Sequence, residues 1–157
     1  MKNLILQVIF ILSPLSIIAQ TYAVGDFVHG GIVFSVDKSG QHGLVCSKFD
    51  VLQFTDWDEA VKRCATFFQV TNNGVFLKEW RLPTKEELNQ IYEKRSEIDS
   101  TAIANGGEAF EKDLGLYYWS STEIGTTHAW LQSFAFGFQT MMSKGSNSFN
   151  VRAVRAF

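Results

Sequence analysis

The apolar positions of the chain fall into several distinct patterns, and each predicts a different element. From Leu4 to Ile18 the run is continuous apart from Gln7, Ser13, Pro14 and Ser16. It follows Lys2 and ends at the small residue Ala19, the layout of a cleavable secretory leader. A membrane-spanning helix needs roughly 20 apolar residues. This run is shorter, broken by Pro14 and followed at once by Gln20 and Thr21. The expectation is a signal peptide over residues 1–19 and a single domain over 20–157. No cysteine ends the run, which disfavours a lipid anchor.

Past Gln20 the pattern turns β-like. Ile32, Val33, Phe34 and Val36 form one run and Leu44, Val45 and Cys46 another, with the polar, glycine-containing stretch Asp37 to Gly43 between them. This predicts a hairpin within Val24 to Ser47. Two helical patterns follow. Asp56, with Glu59 three residues on, precedes Ala60, Val61, Cys64, Ala65 and Phe68 at helical spacing. Thr84, answered by Glu87, precedes the stripe Leu88, Ile91 and Tyr92, with Pro83 fixing the approach of the chain. From Ser96 to Leu116 the pattern weakens around Gly106 and Gly107, which predicts loop with a short helical turn. The rest predicts strands at Tyr117–Ser121, Ala129–Phe136, Phe138–Ser143 and Asn150–Phe157, divided by Gly125, Gly137 and Gly145. A hairpin, two helices and a C-terminal set of short antiparallel strands make an α+β fold.

Charge and composition then remove whole classes of function. Cleavage after Ala19 removes Lys2 and leaves 13 of the 14 basic side chains against 16 acidic ones, a net charge near −3. That balance gives no electrostatic footprint for nucleic acid, and no basic run suggests a membrane surface. His29, His42 and His128 are far apart and lack metal-ligand spacing. No Asp or Glu follows Glu123, so the end of the chain is poor in ligands for calcium. Ser120 and Ser121 sit in no nucleophile elbow, and no phosphate loop is present. Neither an enzyme nor a cofactor is expected. Cys46 and Cys64 are the two cysteines, and an oxidising compartment would permit a bridge worth roughly 3 kcal/mol if their Cα atoms came within about 7 Å.

The large aromatic groups Trp80, Trp119 and Trp130 read as core. Arg81, Arg152 and Arg155 read as structural cations. Alternation puts Arg155 on the face of Val151 and Phe157, where a carboxylate such as Glu87 or Asp113 would be needed to satisfy it.

Three stretches carry a family resemblance: Trp80-Arg81-Leu82-Pro83-Thr84 with Glu87 and Leu88, Tyr118-Trp119-Ser120-Ser121-Thr122, and Val151-Arg152-Ala153-Val154-Arg155-Ala156-Phe157. Together they resemble the Lcl C-terminal domain family (DUF1566). Gly30-Gly31-Ile32-Val33-Phe34 and Gln41-His42-Gly43-Leu44 resemble the opening hairpin of its Bacteroidetes-type form. The resemblance implies a C-type-lectin-like fold, related to that of the formylglycine-generating enzymes and of the variable proteins of diversity-generating retroelements, and implies no established reaction. Many members carry a cysteine in the last stretch where this chain has Ala153, which leaves Cys46 as the intramolecular partner that the resemblance allows for Cys64.

The stretch from His128 to Asn150 mixes polar, Phe and Met residues with a single charge, Lys144. Exposed Phe and Met are a frequent mark of an adaptable binding surface. The candidate ligand-binding residues are His128, Ser133, Phe136, Phe138, Thr140, Met141, Ser143, Ser146 and Asn147. Most belong to the set of residues that retroelement diversification can produce. The reading is an exported binding module, secreted, periplasmic or at the cell surface, whose partner is an extracellular or periplasmic protein or glycan. The alternative is a structural or adhesin-type subunit without a small ligand.

Overall fold

The computed structural model of the protein describes residues 19–71, 73–110, 117–146 and 149–157. The expected leader falls almost wholly on residues outside that set. Among the described residues the architecture is α+β, with a four-stranded sheet, a five-stranded sheet, a two-stranded ribbon and three helices.

The predicted hairpin forms β2 (Gly31–Val36) and β3 (Gly43–Cys46), preceded by the short β1 (Phe27–Val28). Its sheet runs β1-β2-β3-β11, where β11 is Val154–Ala156. Alternation sends Val33 and Val45 to one face and Ile32 and Cys46 to the other, and the two faces bury separate apolar clusters. Cys64 projects from α1 (Trp57–Thr66) into the cluster of Val33 and Val45. The two thiols therefore lie on opposite sides of one sheet, and both are free.

The second sheet has the order β4-β10-β7-β8-β9, from β4 (Leu52–Thr55), β10 (Phe149–Val151), β7 (Tyr117–Ile124), β8 (His128–Ser133) and β9 (Gln139–Ser143). The expected single strand over Asn150–Phe157 is thus two strands in different sheets. The break falls at Arg152, which is fully buried and turns its guanidinium onto Asp50, 2.7 Å away, and the Ser47 carbonyl at 3.2 Å. A buried cation needs such partners more than it needs a place in the ladder. The β7–β10 pairing is parallel, where antiparallel strands were expected.

α1 begins as predicted, with the Asp56 carboxylate accepting the Glu59 N–H, but it buries only Ala60 and Cys64; Val61 and Ala65 are exposed, and Phe68 lies beyond its end at Thr66. α2 (Lys85–Glu93) has both halves of its capping box and buries Leu88 and Ile91. The segment expected as loop holds α3 (Arg95–Ala104), which buries Ile98, Asp99 and Ala102. No side chain caps its start, and Lys94 ends α2 and starts α3 without an intervening turn residue, so the usual start signal is missing; its end is a glycine stop, with Gly106 at positive φ and the Gly107 N–H donating to the Ala102 carbonyl. α1 lies against β4 and β7, while α2 and α3 cover the side of Ile32, Phe34 and Tyr118. A ribbon of β5 (Gln69–Val70) and β6 (Phe76–Leu77), not anticipated, follows α1.

Trp80 and Trp119 are core, as expected. Trp130 is only half-buried, with the Lys85 ammonium 3.4 Å from its ring centroid. Glu87 pairs with Arg81 through two contacts of 2.6 and 2.7 Å, so it is not the partner of Arg155. Arg155 donates instead to the His29 carbonyl at 3.1 Å, because the strand break places it beside Val45. Asp113 lies outside the described residues.

Candidate functional site

Within the C-terminal stretch singled out above, His128–Ser133 and Gln139–Ser143 form β8 and β9 with a turn between them, and Phe149–Asn150 belong to β10. Ser133 builds that turn: its N–H donates to Phe138, its hydroxyl accepts the Phe136 N–H, and its carbonyl accepts the Gly137 N–H. Gly137 has φ of +84°, and a Cβ there would lie 2.5 Å from the Tyr92 ring of α2. Only glycine fits both the dihedral and the space. The Gly137 carbonyl is held by the Gln132 amide at 2.7 Å. The turn is thus pinned from both sides, and it throws Phe136 outward.

Phe136 and Phe138 are 62% and 49% exposed. Their rings lie 6.1 Å apart and nearly parallel, and the half-buried Tyr117 meets Phe138 edge-on at 5.8 Å. Tyr117 in turn contacts the buried Phe149. An aromatic row thus runs from the core to the surface. Such an array offers large, stiff contact area at small cost in conformational entropy, with one hydroxyl to fix orientation.

β9 is the outer strand of its sheet. Bonds from Ser133 N–H to Phe138 and from Lys144 N–H to Thr127 bracket its pairing with β8, so alternation places Thr140 and Met142 in the ladder. The main-chain groups of Gln139, Met141 and Ser143 face the open side. Thr140 shares a face with Leu131, and Met142 shares it with Ala129; Met141 sits with Trp130, and Ser143 with His128, on the opposite face. Met141 and Met142 are both exposed. Around them, the Gln139 amide donates to the Lys85 carbonyl, and the Lys144 ammonium bonds Glu123 and lies 4.2 Å from the Trp57 ring. The edge is therefore fixed by α2 on one side and by Trp57 on the other.

The predicted residues do not form one patch. Phe136, Phe138 and Thr140 share the aromatic end, while His128, Met141 and Ser143 lie across the strand. Ser146 is half-buried and donates its N–H to the Ser143 carbonyl. Ser133 is buried, so its place is in the turn and not on the surface; the hydroxyl that was expected to meet a ligand is used up inside the protein. Asn147 lies outside the described residues. Sequence reading passed over Tyr117, whose signal was its position one residue before the Tyr118-Trp119 pair and so on the opposite face to Tyr118.

A different polar group is buried deeper. Asp50 accepts from Arg152 and, at 3.0 Å, from the Tyr118 hydroxyl, and burial pushes its carboxyl up to about 6 against the pull of Arg152. The same carboxylate holds Arg152 above its ordinary value in spite of burial. These groups are closed off from solvent and serve the fold. Among the described residues no group of three His, Cys, Asp or Glu is placed to hold a metal, and no helix is long and apolar enough to cross a membrane.

The profile of the Lcl C-terminal domain matches the chain over residues 36–155. No curated protein matches it.

Proposed function

The chain belongs to the Lcl C-terminal domain family, and from that premise we propose that it is an exported binding module presenting its ligand surface on the β8–β9 edge. The observation that carries this reading is the row Tyr117, Phe138 and Phe136, which leads from the core to solvent and is held by a turn with no freedom to collapse inward. Function on a rigid scaffold concentrates on such connecting segments. We assign the fold to the C-type-lectin-like class, with residues 1–19 as a cleaved leader, and take the ligand to be an extracellular glycan or protein.

Aromatic faces suit the apolar faces of sugar rings, and the open main-chain groups of Gln139, Met141 and Ser143 suit a polar ligand or an extended peptide. A glycan array with the purified domain is the test. Specific binding that falls on Phe136→Ala and Phe138→Ala supports the reading, and self-association without glycan or protein capture favours the structural, adhesin-type alternative. Replacing Phe136, Thr140 and Ser146 together should change ligand preference while leaving the melting temperature nearly unchanged. Loss of folding in that triple variant would show the segment to be core.

A further inference from the structure

The two larger sheets have β1, β11, β4 and β9 as their outer strands, and the first three are poor templates for further pairing. β1 is two residues long. β11 already exchanges main-chain bonds with Arg81 on its outer side. β4 is bent, with Phe54 at φ of +52° and a shift of register against β10. β9 differs from all of these. It runs in unbroken register with β8 from Gln139 to Ser143 and contains neither proline nor a charged side chain. Natural edges are normally blunted by such residues or by bulges. The next cation, Lys144, does not guard this edge, because its side chain is drawn back onto Glu123 and the Trp57 ring and is only 15% exposed. The Gln139 side chain is likewise turned to the Lys85 carbonyl. Main chain and two exposed methionines are what the edge presents.

The outward main-chain groups belong to Gln139, Met141 and Ser143 and are therefore symmetric about Met141. The Ser143 carbonyl also accepts the Ser146 N–H and keeps a second lone pair. A strand with this phase is its own complement. Antiparallel pairing about a two-fold at Met141 sets Met141 opposite Met141 of a second copy and Gln139 opposite its Ser143, each pair exchanging both bonds. Thr140 then faces Met142 of the second copy. Charge permits the approach: beside His128, the surroundings carry Lys85 over the Trp130 ring, the exposed Glu86 next to it, and Lys144 bonded to Glu123, so the signs balance. Lys144 lies three residues beyond Met141 and Phe138 three before it. The two-fold thus sets Lys144 opposite Phe138 of the second copy and keeps the two Lys144 roughly 20 Å apart along the strands.

We propose that the protein forms a two-fold dimer by antiparallel pairing of β9 with β9 of a second copy, joining the two five-stranded sheets into one. Selection of a foreign peptide along the same edge depends on pockets for alternate side chains. The side chains here are Met141 and Met142, unbranched and able to pack against their own kind. The assignment goes beyond the binding reading: it gives the main-chain edge to a second copy, leaves the row of Tyr117, Phe138 and Phe136 to the ligand, and presents two such rows per dimer.

Sedimentation velocity of the purified protein between about 1 and 300 μM should show a reversible monomer–dimer equilibrium, with a micromolar midpoint because one edge strand is a small interface. Met141→Lys and Met141→Glu should each raise the dissociation constant by about tenfold or more, since like charges meet on the two-fold, and an equimolar mixture of the two variants should restore dimers. Met141→Cys should form an intermolecular disulfide under mild oxidation, because residues that exchange both bonds have Cα atoms about 5.5 Å apart. Met141 is exposed and the native thiols are buried, so melting temperatures should stay near that of the parent and the new thiol should react alone. A monomer throughout, association unmoved by either charge, a mixture no more dimeric than its components, or no cross-link would each overturn the proposal. A monomer that captures glycan or protein would overturn the dimer and leave the binding reading standing; a dimer that captures neither would do the reverse.

Discussion

Glu87 is the acid on which the first turn of α2 depends. Its carboxylate accepts from Arg81 and from the Thr84 N–H, while Thr84 caps the helix in return. Burial alone would raise its affinity for a proton, but Arg81 and the Thr84 N–H outweigh this and hold the carboxyl below its ordinary value. A depressed carboxyl contributes stability that is present above the ordinary value near 4.5 and is lost as pH falls through the native one. Glu87→Gln should therefore flatten the acid limb of the stability profile below about pH 4.5. Thr84→Ala should cost about 1 kcal/mol at any pH, read from denaturation midpoints. Arg152→Met is a harsher change: it leaves Asp50 buried without its cation, and about 3–5 kcal/mol should be lost in the same measurement. The Thr84–Glu87 pair was legible because a capping box is a local code. Arg152 was legible as a structural cation but its partner was not, since Asp50 is 102 residues away and nothing in the sequence marks it as buried.

At the scale of elements, the sequence showed those whose boundaries are written in side chains. The first hairpin has turn residues between its strands, and α1 and α2 have side-chain caps at their starts. α3 has no such cap; its glycine stop at Gly106 and Gly107 reads equally as a break in any regular element, and its buried residues include Asp99, whose carboxylate accepts the Phe110 N–H, and an acid at a core position hides a helix from any hydrophobic pattern. β10 and β11 read as one strand because a change of sheet leaves apolar alternation undisturbed. At the candidate site the Phe and Met residues were visible, but the division of β9 into two faces depends on register, which pairing with β8 sets. The turn at Gly137 carries the sharpest expectation here. Gly137→Ala should destabilise by more than about 1 kcal/mol, because a positive φ and the Tyr92 ring both oppose a Cβ. It should also weaken ligand capture more than its effect on folding explains, since the turn sets the angle of Phe136.

Across the whole molecule, the four-stranded sheet separates two cores, and each contains one cysteine. Burial pushes both thiols up to about 12, so neither is a nucleophile in the folded state. Alkylation by iodoacetamide should follow global unfolding, with both sites labelled at the same denaturant concentration. Labelling of either one under native conditions would indicate that its core opens separately. β11 lies outside β3 in this sheet, with Val154 opposite Cys46, and it also exchanges main-chain bonds with Arg81. A strand synthesised late thus completes a hairpin synthesised early. On the ribosome, the first sheet must wait with an open edge until Val154–Ala156 emerge, so it can close only after every other described element has been synthesised.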